Sequence, residues 1–162
     1  MIYFTSFIFT LLLTRVARAV PACGDVTSFK EQYDTTYDNA VAPYRVTWDV
    51  MYDNPDGNTN SVVCSNVNGL AKKYPHFIDF PSFPRIGGAF DVKGDSNNCA
   101  KCWKLTDTKS GRSITFFAID AFDRGFKIGK KAYVDLGGSL ERGVAEVEAQ
   151  PVSGRLCGIP PF

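Results

Sequence analysis

The chain has 162 residues, with 18 Lys and Arg against 17 Asp and Glu and a single His, giving a formal net charge of +1. So even a balance provides no electrostatic pull toward nucleic acid or an anionic membrane. A single histidine and the lack of a second close cysteine pair argue against a zinc centre, and the lone histidine against imidazole-based catalysis.

The chain opens with an apolar run, Phe4 to Leu13, that is too short to span a bilayer. Ala17-Arg18-Ala19 follows it with the small-x-small pattern of a cleavage site, so residues 1–19 are expected to be a signal peptide. Its removal takes away Arg15 and Arg18 and leaves 143 residues with sixteen basic and seventeen acidic side chains, a net charge near −1. That length suits one domain with a real core. The longest later apolar run, ITFFAI, is strand-sized, so no transmembrane helix is expected.

Residues 20–43 are polar, rich in Tyr, Asp and Thr, and without sustained periodicity, which predicts an extended N-terminal arm. From Tyr44 the pattern changes. YRVTWDVMY alternates as a strand does, and DNPDGNTN is a cluster of turn residues. SVVCSN predicts a short buried strand, and VNGLAKKY a short helix capped by Asn66 or Asn68 and stopped before Pro75. Residues 76–98 read as loop, with the phenylalanines of HFIDFPSFP packed beneath it. CWKLTDT, the turn KSG and RSITFFAID form the clearest hairpin. FKIGKKAYVDLGG predicts a short helix ended by Gly137-Gly138, and GVAEVEAQPV a half-buried strand. Short strands, many turns and two short helices point to a small β-barrel or sandwich.

Cysteines at 23, 64, 99, 102 and 157 are expected to be oxidised outside the cell, with one left over. Four paired cysteines allow three connectivities, which the sequence leaves open. Cys99-Ala100-Lys101-Cys102 has redox-motif spacing but runs into a strand, whereas such a motif sits at a helix start. Two structural disulfides are the better reading.

Asp120 is the leading candidate for chemistry. It ends the apolar strand ITFFAID and precedes AFDRGF, so it could serve as a general acid in glycoside hydrolysis, which needs a second carboxylate about 5–10 Å away. Asp49, Asp53 and Asp123 are available as partners, and the competing reading is that Asp120 binds backbone amides at a turn. DAFDRG lacks the alternating carboxylates of a calcium loop. Aromatic side chains mixed with Asp and Asn otherwise suit a carbohydrate: flat rings for sugar faces, amides and carboxylates for hydroxyls.

One stretch nearly repeats itself. Tyr33-Asp34-x-x-Tyr37-Asp38-Asn39 recurs fifteen residues later as Trp48-Asp49-x-x-Tyr52-Asp53-Asn54.

Taken together, VTWDVMYDN, SVVCSN, FPRIGGAFDVKG, CAKCWKL, SITFFAID and RGFKIGKKAY resemble, in order and spacing, the cerato-platanins, small secreted fungal proteins. The resemblance covers about residues 44–157. It implies a mainly β fold with short helices, a six-stranded double-psi β-barrel like those of expansins and endoglucanases, spanning 44–162. It also implies disulfides Cys64–Cys99 and Cys102–Cys157, leaving Cys23 unpaired. Such proteins are described as non-hydrolytic, bind N-acetylglucosamine oligomers in a shallow groove, and elicit plant defence. The groove residues would be Asp120, Trp48 and Asp49, with tryptophan replacing the family's usual tyrosine at 48. The family's aromatic-Asp pair lies about fifteen residues before its first cysteine. Trp48 lies sixteen before Cys64 and Tyr33 thirty-one, so the second copy of the repeat is in register.

The expectation is therefore a secreted, extracellular or fungal-wall protein that binds chitin oligomers without catalysis or cofactor, with cellulose as an alternative glycan and a plant receptor as a further partner. No nucleic-acid or membrane partner is expected, and the state is monomeric, with a Cys23-linked dimer or self-assembly as variants. The competing readings are an expansin-like loosening protein or weak endoglucanase using Asp120, and a surface-active structural protein.

Overall fold

The computed structural model describes residues 43–94 and 97–160. The expected signal peptide, Cys23, the arm up to residue 42 and the first copy of the repeat lie outside the described residues.

Six strands close into a barrel: β1 (Tyr44–Asp49), β2 (Ile86–Ala89), β3 (Lys101–Asp107), β4 (Ser113–Ala121), β5 (Phe126–Gly129) and β6 (Val144–Val152). Their order around the wall is β1-β5-β2-β4-β3-β6, with β6 returning to β1. Pairs β1/β5 and β2/β4 are parallel and the other four antiparallel. Closure removes every exposed sheet edge. The six-stranded barrel inferred from the resemblance is thus the fold.

Alternation along the strands builds two apolar layers. Phe116 on β4 meets Phe126 on β5, and Trp103 on β3 meets the same ring, at centroid distances of 5.5 and 5.3 Å. Neither strand neighbours β5 in the wall, so these rings meet across the barrel interior. The next residue, Phe117, faces the other way and packs at 5.8 Å on Phe80, which in turn lies 4.9 Å from Tyr74. A second layer therefore sits outside the barrel, beneath the 50–83 segment, with Tyr52, Leu70, Phe77 and Phe80 all buried. Phe77 and Phe80 are the phenylalanines expected under a loop, and Phe83 is half-buried beside them.

The hairpin of β3 and β4 and the strand β6 fall where the sequence puts them. Other segments differ: the strand expected over YRVTWDVMY stops at Asp49, where a 3-10 turn over Val50–Asp53 begins. SVVCSN forms no strand: a 3-10 turn at Thr59–Ser61 leads into further turns, the Val63 amide donates to the Asp120 side chain, and the Cys64 amide to Ile119 O. The loop expected over 76–98 contains β2, hidden in the sequence by its two glycines. A Cβ on Gly87 would stand 2.1 Å from Lys127 O, so the close β2–β5 approach requires glycine there. FKIGKKAYVDLGG divides: Phe126–Gly129 is β5, and the helix α2 covers only Lys130–Leu136, ending at Gly137 as expected. The other short helix, α1, spans Leu70–Lys73, with Gly69 rather than Asn66 or Asn68 at its N-cap.

Cys64–Cys99 ties the outer layer to the residues before β3, and Cys102–Cys157 ties β3 to the Gly154–Cys157 turn, closing sequence separations of 35 and 55 residues. These are the pairs the resemblance implies. In the chain-entropy view loops of this size contribute about 4 kcal/mol each.

Candidate functional site

The last turn of β1 delivers Trp48 and Asp49 to one end of the barrel, and β4 delivers Asp120. Between them a 3-10 turn, Val50–Asp53, carries Tyr52 inward. Asp49 starts that turn, its Oδ1 accepting from the Met51 amide at 3.0 Å.

Asp120 joins three segments. Its Oδ2 accepts a hydrogen bond from Tyr52 Oη at 3.0 Å, and its Oδ1 accepts from the amides of Val63 at 3.1 Å and Ala121 at 2.9 Å. The turn-and-amide reading of this carboxylate is therefore the contact pattern observed. All its partners are donors, which suits an acceptor held in place; a general acid must instead present an O–H to a glycosidic oxygen. Burial, the charge and hydrogen bond of Asp120 and the charge of Asp49 push the Tyr52 phenol well above the usual tyrosine range, so it stays a neutral donor. Asp49, Tyr52 and Asp120 thus form one electrostatic group.

Trp48 is half-buried against the core, and Lys130 Nζ lies 5.4 Å from its ring centroid. Of the alternative carboxylates, Asp53 is engaged elsewhere. Its two oxygens accept from the amides of Lys130 at 2.6 Å and Lys131 at 3.1 Å, capping α2 from a distant segment. Asp123 lies exposed in the turn before β5, and His76 is exposed beside Asp79. Among the described residues no group of three or more His, Cys, Asp or Glu could hold a metal ion.

Three apolar side chains near this centre are exposed. Val50 is 57% exposed, and Met51 and Val63 are each 39% exposed. Both of the latter residues offer their amides to the site carboxylates, so apolar side chains and fixed acceptors share one face. Tyr52 is the member that sequence reasoning missed. Its signal lay in the repeat, because Trp48-Asp49-x-x-Tyr52-Asp53 supplies both a partner of Asp120 and the cap of α2.

A closed mixed barrel of six strands, with a disulfide-tied layer of turns over one side, defines the class. The chain belongs to the cerato-platanin family, whose model matches residues 44–159. It is 41% identical over 109 residues to the Aspergillus fumigatus protein called Allergen Asp f 15, covering 66% of this chain and 70% of that one. Among solved structures it is similar to cerato-platanin 2 from M. perniciosa (TM-score 0.67, 35% identity, 72% of this chain and 98% of the other). It is also similar to the fungal elicitor Cerato-Platanin in solution (TM-score 0.64, 35% identity, 70% and 95%).

Proposed function

We propose that this is a secreted fungal protein that binds N-acetylglucosamine oligomers without cleaving them, on the face where Asp49, Tyr52 and Asp120 meet beside Trp48. The observation that carries the reading is the union of a donor-anchored carboxylate with exposed Val50, Met51 and Val63. An acetamido sugar is amphipathic in the same way, with apolar ring faces and a methyl group among its hydroxyls. Kinship with a structure titled as that of a fungal elicitor supports an elicitor role in a host. Secretion is in keeping with the expected signal peptide, and among the described residues no helix is long and apolar enough to cross a membrane.

Calorimetric titration of the oxidised protein with chitin oligomers is the test. Binding that weakens about tenfold or more in Asp120→Asn supports the site, as expected for the loss of a charged hydrogen-bond acceptor. Unchanged binding in that variant removes Asp120 from it. Release of reducing sugar from chitin or amorphous cellulose, abolished in the same variant, would establish the hydrolase instead.

The exposed Val50 and Ile78 (56%) favour a second reading, assembly at an air–water interface. A protein that stays monomeric and leaves surface tension unchanged is incompatible with it.

A further inference from the structure

We propose that the cleft between the Ser82–Arg85 segment and the Leu156–Cys157 turn is a second saccharide site, built from residues that the Tyr52–Asp120 face does not use. It encloses about 340 Å³, room for roughly one or two sugar rings.

Its lining is amphipathic in the way a pyranose requires. Phe83 and Leu156, the latter 61% exposed, supply apolar surface. Thr115, Arg85 and Asp135 supply polar groups of both kinds. Arg85 Nη2 and Asp135 Oδ2 lie 3.3 Å apart with side chains 45% and 51% exposed, so each retains hydrogen-bonding capacity that the ion pair does not consume. A carboxylate beside a guanidinium matches two adjacent sugar hydroxyls, one donating to Asp135 and one accepting from Arg85. A free anion would meet the carboxylate, and a free cation the guanidinium, so the pair selects a neutral polyol over either.

The Ser82 hydroxyl belongs to the wall of the cleft. It is shielded from solvent and has no hydrogen-bond partner, in a segment that lines the cleft. Buried polar groups are nearly always paired. Thr115 Oγ1 donates to Leu156 O at 3.2 Å, which leaves its lone pairs for a ligand donor.

The walls are fixed before any ligand arrives. Phe83 N donates to Phe80 O at 2.9 Å and Arg85 N to Ser82 O at 2.7 Å, and Cys157 is tied to Cys102. Preorganisation of this kind lowers the ordering cost of binding. Thr115 and Asp120 are five residues apart on β4, roughly 17 Å along the strand. The protein thus presents two separate sugar-binding faces and could link two glycan chains, gaining avidity on an insoluble wall.

The ligand class is shared with the proposed function, but the residues differ, and amide NMR separates the two. The oxidised protein is titrated with N-acetylglucosamine tetramer and, separately, with cellotetraose. The expected result is saturable shifts at the amides of Arg85, Thr115 and Asp135 with at least one probe. In Asp135→Asn their apparent Kd rises about tenfold or more, while the shifts at Val63 and Ala121 are unaltered. The pair is half-exposed, so this variant keeps the fold, and an unchanged melting temperature verifies it. If both probes leave Arg85, Thr115 and Asp135 unshifted at millimolar concentration, the second site does not exist, whatever happens at Val63 and Ala121. Shifts here with none at Val63 and Ala121 uphold this site and refute the first.

Discussion

Asp120 and Tyr52 show how one pair of side chains can hold a surface together. The phenol donates to Oδ2 while the Val63 and Ala121 amides occupy Oδ1, so the turn after β1, the turn before Cys64 and the end of β4 are fixed at one carboxylate. Tyr52→Phe keeps the packing against Phe77 and removes only the phenol donor. Loss of about 1.5–3 kcal/mol is expected in urea unfolding, the range for a hydrogen bond to a charged group. The same phenol sets an alkaline limit. Its ionisation is raised in the folded state by burial and by Asp120, and that of Tyr133 by burial. The folded protein therefore holds protons that the unfolded chain releases from about pH 10, so stability is full below pH 10 and falls above it. Unfolding midpoints measured from pH 8 to 11.5 should show this fall, with a shallower slope in Tyr52→Phe; an equal slope would exclude Tyr52 as a cause.

At the scale of elements, the repeated motif acquires a structural meaning. Asp53 belongs to the turn after β1, yet it caps α2 through the amides of Lys130 and Lys131. Asp53→Ala should destabilise the protein by about 1–2 kcal/mol, the range of a lost N-cap, and lower amide-exchange protection in α2 before that of the barrel. Uniform loss of protection would show that α2 has no independent stability. What the sequence made legible follows the same division. The β3–β4 hairpin and β6 could be read because alternation and a glycine-containing turn are local signals. β2 could not, because IGGA has no alternation to read: its glycines answer to the carbonyl of Lys127, a neighbour distant in sequence. SVVCSN carries strand residues, but the Val63 amide finds a side-chain acceptor in place of a strand. Both misreadings arise where tertiary contacts override local preference.

For the whole molecule, closure and cross-linking divide the work. The barrel buries one aromatic layer inside and a second beneath the 50–83 segment; Cys64–Cys99 holds that segment to the residues before β3, and Cys102–Cys157 holds the Gly154–Cys157 turn to β3. Reduction of both bonds should lower stability by several kcal/mol, at about 4 kcal/mol for each loop. Cys64→Ser/Cys99→Ser should loosen the Val63–Asp120 contact and with it the proposed sugar face, while Cys102→Ser/Cys157→Ser should loosen the cleft at Leu156. Amide NMR of the two double variants distinguishes these outcomes, and identical changes in both would refute the assignment of one bond to each face. The candidate site was only half legible at this scale. Asp120 and Asp49 both act on Tyr52, whereas Trp48 is set against Lys130, and each has a task in the fold, as amide acceptor, turn cap and support for Lys130. A sequence displays residue types and not the partners that occupy them. The most direct measurement is therefore amide chemical-shift mapping of the oxidised protein with N-acetylglucosamine tetramer. Saturable shifts centred on Met51, Val63 and Ala121, lost in Asp120→Asn, are predicted; a saturating titration that leaves those three amides unmoved would contradict the assigned function.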